Sequence, residues 1–229
     1  MQPAVSVASP PPSRSADLTP QDWLDGGQAG ATADAYAAAH GGVAPILVMP
    51  DVNGTLDGDS ECVDGPAGRV ETYLTADVPR FVQDVFHAAA PGRTWAVAGL
   101  SEGGSCSLML ALRHPDLFAT FGDYAGLAGP RAGDTNADTD SAAAQLFGGS
   151  QAAFLAHEPS ALLARRQFAE LGGWFEVGDA DPEPYAGKIA IGTKSIAQGN
   201  LVSTGPAGSP PDQALVFADY FPTGRVPVL

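Results

Sequence analysis

Residues 97–104 read Val97-Ala98-Gly99-Leu100-Ser101-Glu102-Gly103-Gly104. The stretch holds Gly99-x-Ser101-x-Gly103, the G-x-S-x-G spacing of a serine nucleophile set on a sharp turn. Its flanks supply the context that this spacing needs. Trp95-Ala96-Val97-Ala98 is apolar and strand-like, and Ser105 to Arg113, with Leu108, Met109, Leu110 and Leu112, reads as a helix. Glycines at 99 and 103 let the backbone reverse without a Cβ clash. The turn then lifts the Ser101 Oγ above the sheet edge. The N-terminus of the following helix turns N–H groups and a positive dipole end toward a developing oxyanion.

On both sides of this turn, strand and helix patterns alternate. Thr32 to His40 suits a short helix, and residues 45–49 form an apolar strand buried on both faces. Residues 51–68 are a Gly/Asp-rich loop, long enough to expect a function. Over 70–88, Val70, Tyr73, Leu74, Val78, Phe81, Val82 and Val85 recur at helical spacing, and Pro79 kinks that helix or marks its start. A strand over 94–100, the helix to Arg113 and a strand from Leu117 to Tyr124 follow. Residues 130–141 are polar. Two short helices are expected around 141–147 and 160–170, then a strand from Gly173 to Val177 that runs into Gly178-Asp179-Ala180-Asp181. The alternation predicts an α/β fold, a mainly parallel sheet flanked by helices, irregular at both ends. Residues 1–19, rich in Pro and Ser, read as a poorly ordered arm, and 20–229 as one domain.

Composition narrows the function classes. A chain of 229 residues, 45% hydrophobic, suits one globular domain with a sizeable core. A net charge of −15 argues against a nucleic-acid or anionic-membrane partner, since both need basic patches. No apolar run reaches the length of a membrane span. Met1 to Pro10 has no basic segment and too short an apolar stretch for a signal peptide. There is no Cys-x-x-Cys and no His pair, so no metal or other cofactor is expected. Cys62 and Cys106 read either as two buried thiols or as one disulfide. The disulfide would tie the loop after the 45–49 strand to the helix after Ser101, brace the site and imply an oxidising compartment.

Longer segments carry a family resemblance. The run from Gly99 to Phe118, ending Leu110-Ala111-Leu112-Arg113-His114-Pro115-Asp116-Leu117-Phe118, and then Gly122-Asp123-Tyr124-Ala125-Gly126, resembles the serine esterase family that includes esterase D and the antigen 85 mycolyltransferases. Pro45 to Gly54, Glu71-Thr72-Tyr73-Leu74-Thr75-Ala76-Asp77-Val78-Pro79, Gln21-Asp22-Trp23-Leu24-Asp25-Gly26-Gly27 and Trp174 to Pro182 resemble it too. The likeness covers 20–184 and is nearest to the actinobacterial branch. It implies the α/β-hydrolase fold and a serine esterase or acyltransferase working through an acyl-enzyme on Ser101. Small-molecule or sugar esters are the implied substrates. Relatives carry export signals or anchors, which implies an extracellular or cell-envelope location.

A serine hydroxyl needs a base, and the base an orienting acid, in the chain order Ser, Asp or Glu, His. The family spacing after Gly178 favours Asp181 as the acid, with Asp179 the alternative; a solvated acidic turn is the plain reading of both. Glu102 would give one oxyanion N–H. The loop expected to give the other is replaced by Ser9-Pro10-Pro11-Pro12-Ser13-Arg14-Ser15. The four histidines are His40, His87, His114 and His157, and none follows Asp181. The region matching the family histidine, Pro206 to Asp212, has none. His157 is the substitute base to test. His114 reads as structural, His87 as a solvated helix end, and His40 as a helix terminus where a cation suits the dipole. The expectation is therefore an impaired serine esterase. The alternatives are a non-catalytic binding protein of the same fold, or a truncated or frame-shifted esterase. The oligomeric state stays open.

Overall fold

A computed structural model describes residues 20–54, 58–133, 135–137 and 139–176, with the backbone of 3–6 and 199–201. In chain order it contains β1 (Pro3–Ser6), α1 (Asp22–Asp25), α2 (Ala29–Ala39) and β2 (Ile46–Val48). A small antiparallel pair follows, β3 (Asp64–Gly65) and β4 (Gly68–Arg69). Next come α3 (Val70–Thr72), a π-turn (Tyr73–Asp77), α4 (Val78–Phe86), β5 (Gly92–Leu100), α5 (Glu102–Arg113) and β6 (Phe118–Tyr124). The rest are α6 (Thr139–Phe147), α7 (Gln151–His157), α8 (Pro159–Arg165), β7 (Gly172–Glu176) and β8 (Gly199–Leu201). The main sheet is six-stranded, in the order β2-β1-β5-β6-β7-β8, and every pairing in it is parallel. Loops after β2, β5 and β6 therefore leave one sheet edge together, and in such sheets that edge holds the site.

Burial explains the shape of the centre. All residues of α5 from Gly103 to Leu112 are buried, so this helix is core on every side rather than amphipathic. It lies against β5 and β6, where Trp95, Val97, Phe118 and Phe121 complete the same apolar cluster. Trp95 is fully buried, and its indole Nε1 donates to Ala89 O at 2.9 Å, which satisfies its one polar atom. The Ser107 hydroxyl lies 2.7 Å from Gly122 O and 2.8 Å from Gly104 O, a polar tie between α5 and β6.

Four readings of the sequence change here. Pro3–Ser6, assigned to a poorly ordered arm, instead form β1, a strand lying between β2 and β5. Residues 7–19 lie outside the described part. The helix expected over 70–88 is continuous but contains the π-turn, which ends just before Pro79. Proline cannot donate to a carbonyl one turn back, and the wider turn absorbs that loss. Only part of its apolar stripe is core: Leu74, Val78 and Val82 are buried, while Tyr73, Phe81 and Val85 are exposed. Finally, α7 was missed. It starts at Ser150, whose hydroxyl accepts the Ala153 N–H in an N-cap.

Candidate active site

Ser101 occupies the one-residue junction between β5 and α5. Its backbone sits at φ 58°, ψ −120°, a region that non-glycine residues rarely enter. Surrounding bonds hold it there. Its N–H donates to Tyr124 O at the end of β6 (2.8 Å), and its carbonyl accepts the Gly104 and Ser105 N–H groups (2.9 and 3.2 Å). The N-terminal turn of α5 follows at once, so its dipole end faces the serine. Gly104 allows the close approach of the next loop. A Cβ there would lie 2.5 Å from Asp123 Oδ1 and 2.7 Å from Gly126 N. Asp123 Oδ1 accepts the Gly126 N–H (2.9 Å), and Ser105 Oγ accepts the Leu127 N–H (2.8 Å), so the loop after β6 is fastened to the elbow.

The loop after β2 is fastened from the other side. The Glu102 carboxylate accepts from Asn53 Nδ2 (2.7 Å), Ser60 N and Ser60 Oγ (both 3.1 Å) and Glu61 N (2.9 Å). One residue further on, Cys62 forms a disulfide with Cys106 of α5, Cα to Cα 5.6 Å. Those sulfurs and a Glu102 oxygen lie within 4.8 Å of one another, with the sulfurs committed to their mutual bond.

Glu61 in this loop is buried, and its Oε2 has no hydrogen-bond partner among the described residues. Burial, followed by the charges of Asp59 and Glu102, pushes its carboxyl well above the usual carboxylate range; the Arg131 N–H and charge pull weakly the other way. Arg131 itself is buried and paired in a fork with Glu158, at 2.8 and 3.2 Å. A carboxyl whose pKa is raised by folding holds its proton more tightly when folded. Its contribution to stability therefore falls as pH rises above the unfolded value of about 4.3. Glu61→Gln should remove that slope and leave the protein more stable at pH 8 than the parent. Thermal melts of both proteins at pH 5 and pH 8 would show it.

The residues named from sequence fall in different places. Ser101, Glu102, Cys62 and Cys106 come together at the elbow. Asp181 and Asp179 lie outside the described residues. His157 is not brought to Ser101. Its Nε2 meets Glu71 Oε2 at 2.9 Å and its Nδ1 meets Ala153 O at 2.7 Å. Glu71 also binds Arg113 and His114, which stand at the C-terminal end of α5. That helix has 12 residues and so is about 18 Å long, with Ser101 at its opposite end. His40 stacks on Tyr36 at the end of α2, and His87 ends α4. The sequence reading missed the Glu102 side chain, Asn53, Ser60 and Glu61. The one available signal was an acidic residue between Ser101 and Gly103.

Comparison with known proteins bears on the family and the fold. A family model named Esterase, described as "Putative esterase", matches residues 16–193. An uncharacterized protein of Corynebacterium glutamicum is 36% identical over 168 residues, which span 71% of this chain and 38% of that protein. The diacylglycerol acyltransferase/mycolyltransferase Ag85B of Mycolicibacterium smegmatis is 40% identical over 63 residues, 28% of this chain and 19% of that protein. The chain thus spans well under half the length of these relatives. Among solved structures, the fluorophosphonate-binding serine hydrolase F of Staphylococcus aureus superposes with a TM-score of 0.67 at 15% identity, covering 95% of this chain and 82% of that one. With the family match spanning most of the chain, and a serine elbow on a parallel sheet beneath it, the protein belongs to the Esterase family of the α/β-hydrolase fold.

Proposed function

We propose that the chain is a serine esterase or acyltransferase acting through an acyl-enzyme on Ser101, with impaired turnover in these 229 residues. The observation that carries this is the backbone of Ser101, held at positive φ between a buried strand and the N-terminus of a buried helix. Ser101 Oγ attacks the ester carbonyl carbon while its proton passes to solvent water, which returns a proton to the departing alkoxide oxygen. The tetrahedral oxyanion faces the first turn of α5, with the Glu102 N–H as one donor. Collapse expels the alcohol and leaves the acyl group on Ser101. Water or a second alcohol then attacks the acyl carbon and frees the serine. Asp181, or Asp179, is the acid that would orient a base. No histidine falls within residues 182–229, and the proposed low turnover of these 229 residues rests on that. The diacylglycerol acyltransferase/mycolyltransferase relative supports small-molecule esters as substrates, and sugar esters rest on the sequence resemblance alone. The Cys62–Cys106 disulfide supports an extracellular or cell-envelope location.

The test is labelling with a fluorophosphonate and mapping of the adduct by mass spectrometry. Slow labelling confined to Ser101 is expected, with ester turnover about 10⁴–10⁶ below that of a complete triad. Brisk turnover would remove the impairment from this reading. A folded chain that takes no label would leave a non-catalytic binding protein. The engagement of His157 by Glu71, at the far end of α5, favours that second reading.

A further inference from the structure

We propose that the Glu102 side chain is a positioning residue, which clamps the loop after β2 onto the nucleophile helix, and that the Cys62–Cys106 disulfide is a second, reducible lock on the same loop. The role in chemistry rests on the serine reading above.

A helical side chain leans toward the N-terminus of its helix, so the carboxylate of the first residue of α5 lies at the Ser101 end. There it gathers four donors from residues 41 to 49 positions away, three of them on Oε1. Charge-assisted bonds of this kind are the strong ones. The loop needs such holding. Glu61 and Cys62 are consecutive non-glycine residues at φ 45° and 54°, a left-handed conformation that persists only when the surroundings enforce it. The clamp supplies that enforcement at Ser60 and Glu61, and the disulfide at Cys62. One residue thus carries both the proposed oxyanion N–H and the fastening of the wall beside it. Glu102→Gln preserves the shape but breaks the pattern. If the amide oxygen keeps the three donors, the amide NH₂ faces Asn53 Nδ2. Flipping the Asn53 amide to answer it removes one of the two acceptors of Ser60 N, the Asn53 Oδ1 at 3.0 Å.

Both cysteines are fully buried, so a reductant reaches them only when the loop opens. Dithiothreitol transfers two electrons and two protons. The S–S bond breaks, Cys62 and Cys106 become thiols, and the reagent closes into its own disulfide. The rate of that reaction, read by alkylation and mass spectrometry, measures the clamp without reference to Ser101. Glu102→Gln is expected to speed it at least about tenfold. Ser60→Ala, a milder change that removes one donor, is expected to shift it less and in the same direction. An unchanged rate in both variants overturns the clamp. In the oxidised proteins, the maximal rate of fluorophosphonate labelling should fall about tenfold in Glu102→Gln, with the half-saturating concentration little changed, and reduction should lower it further. Wild-type labelling matched by the variant would overturn the positioning role alone. A wild-type chain that takes no label overturns the serine reading and the positioning role with it, whatever the reduction rates show.

Discussion

Glu71→Ala is expected to cost about 3–5 kcal/mol of folding stability, because it strips the shared acceptor from three nitrogen-bearing side chains. Glu71 Oε1 accepts from Arg113 Nε and lies against His114 Nε2, both at 2.6 Å, and Oε2 lies 2.9 Å from His157 Nε2. Arg113 also donates to Ala156 O at 2.6 Å. The carboxylate thus joins the start of α3, the end of α5 and the end of α7. Its side chain is almost wholly buried, so water cannot replace what is removed. Burial alone would push the Glu71 carboxyl up. Hydrogen bonds from His114, His157 and Arg113, with the Arg113 charge, outweigh burial and hold it well below the usual carboxylate range. Its contribution is therefore complete above the unfolded pKa of about 4.3 and is lost as pH falls below that. Urea midpoints at pH 7 would read the cost. Between pH 5 and pH 3.5 the midpoint should drop steeply for the parent and shallowly for Glu71→Gln. A Glu71→Ala midpoint within error of the parent would rule out the cluster as a stabilising element.

Ser101→Gly should abolish covalent labelling and at the same time make the protein more stable, by about 1 kcal/mol. A non-glycine residue in such a conformation costs on the order of 1–3 kcal/mol. Glycine relieves it, less roughly 0.5–1 kcal/mol for the extra freedom of the unfolded chain. Ser101→Ala removes the same hydroxyl but retains a Cβ, so it should lose labelling without the gain. Comparing the two variants in thermal melts separates the strain from the loss of Oγ. If Ser101→Gly melted below Ser101→Ala, the φ of 58° would not be a strained position.

The readings that held were those whose causes are local. The turn at Ser101 needs glycines beside the serine, an apolar strand before and a helix after, and all of these fall within about twenty consecutive residues. The strand–helix alternation rests on the same short-range patterns. What escaped depends on distant partners. Glu71 sits between Val70 and Thr72 at the start of a helix, and its partners are 42, 43 and 86 positions away. Glu102 looked like a source of one N–H because its side-chain partners precede it by more than forty positions. Pro3–Ser6 has only four residues to signal a strand, and its reason to be one is the parallel edges offered by β2 and β5. The exposed half of the α4 stripe has the same origin, since periodicity marks an apolar face without saying what covers it.

The parallel sheet also sets an order of assembly. β5, α5 and β6 occupy one uninterrupted stretch, residues 92–124, and their mutual contacts close only short spans of chain. β1 reaches its neighbour β5 across more than ninety residues, and the Cys62–Cys106 bond spans 44. Contacts with large separations form late, because the entropy of closing the intervening loop is lost before the contact rewards it. The turn at Ser101 therefore rests on the contacts that are least costly to close, and β1 beside it on contacts that are among the most costly. Loss of the β1 pairing would leave the short-range bonds that hold the turn in place.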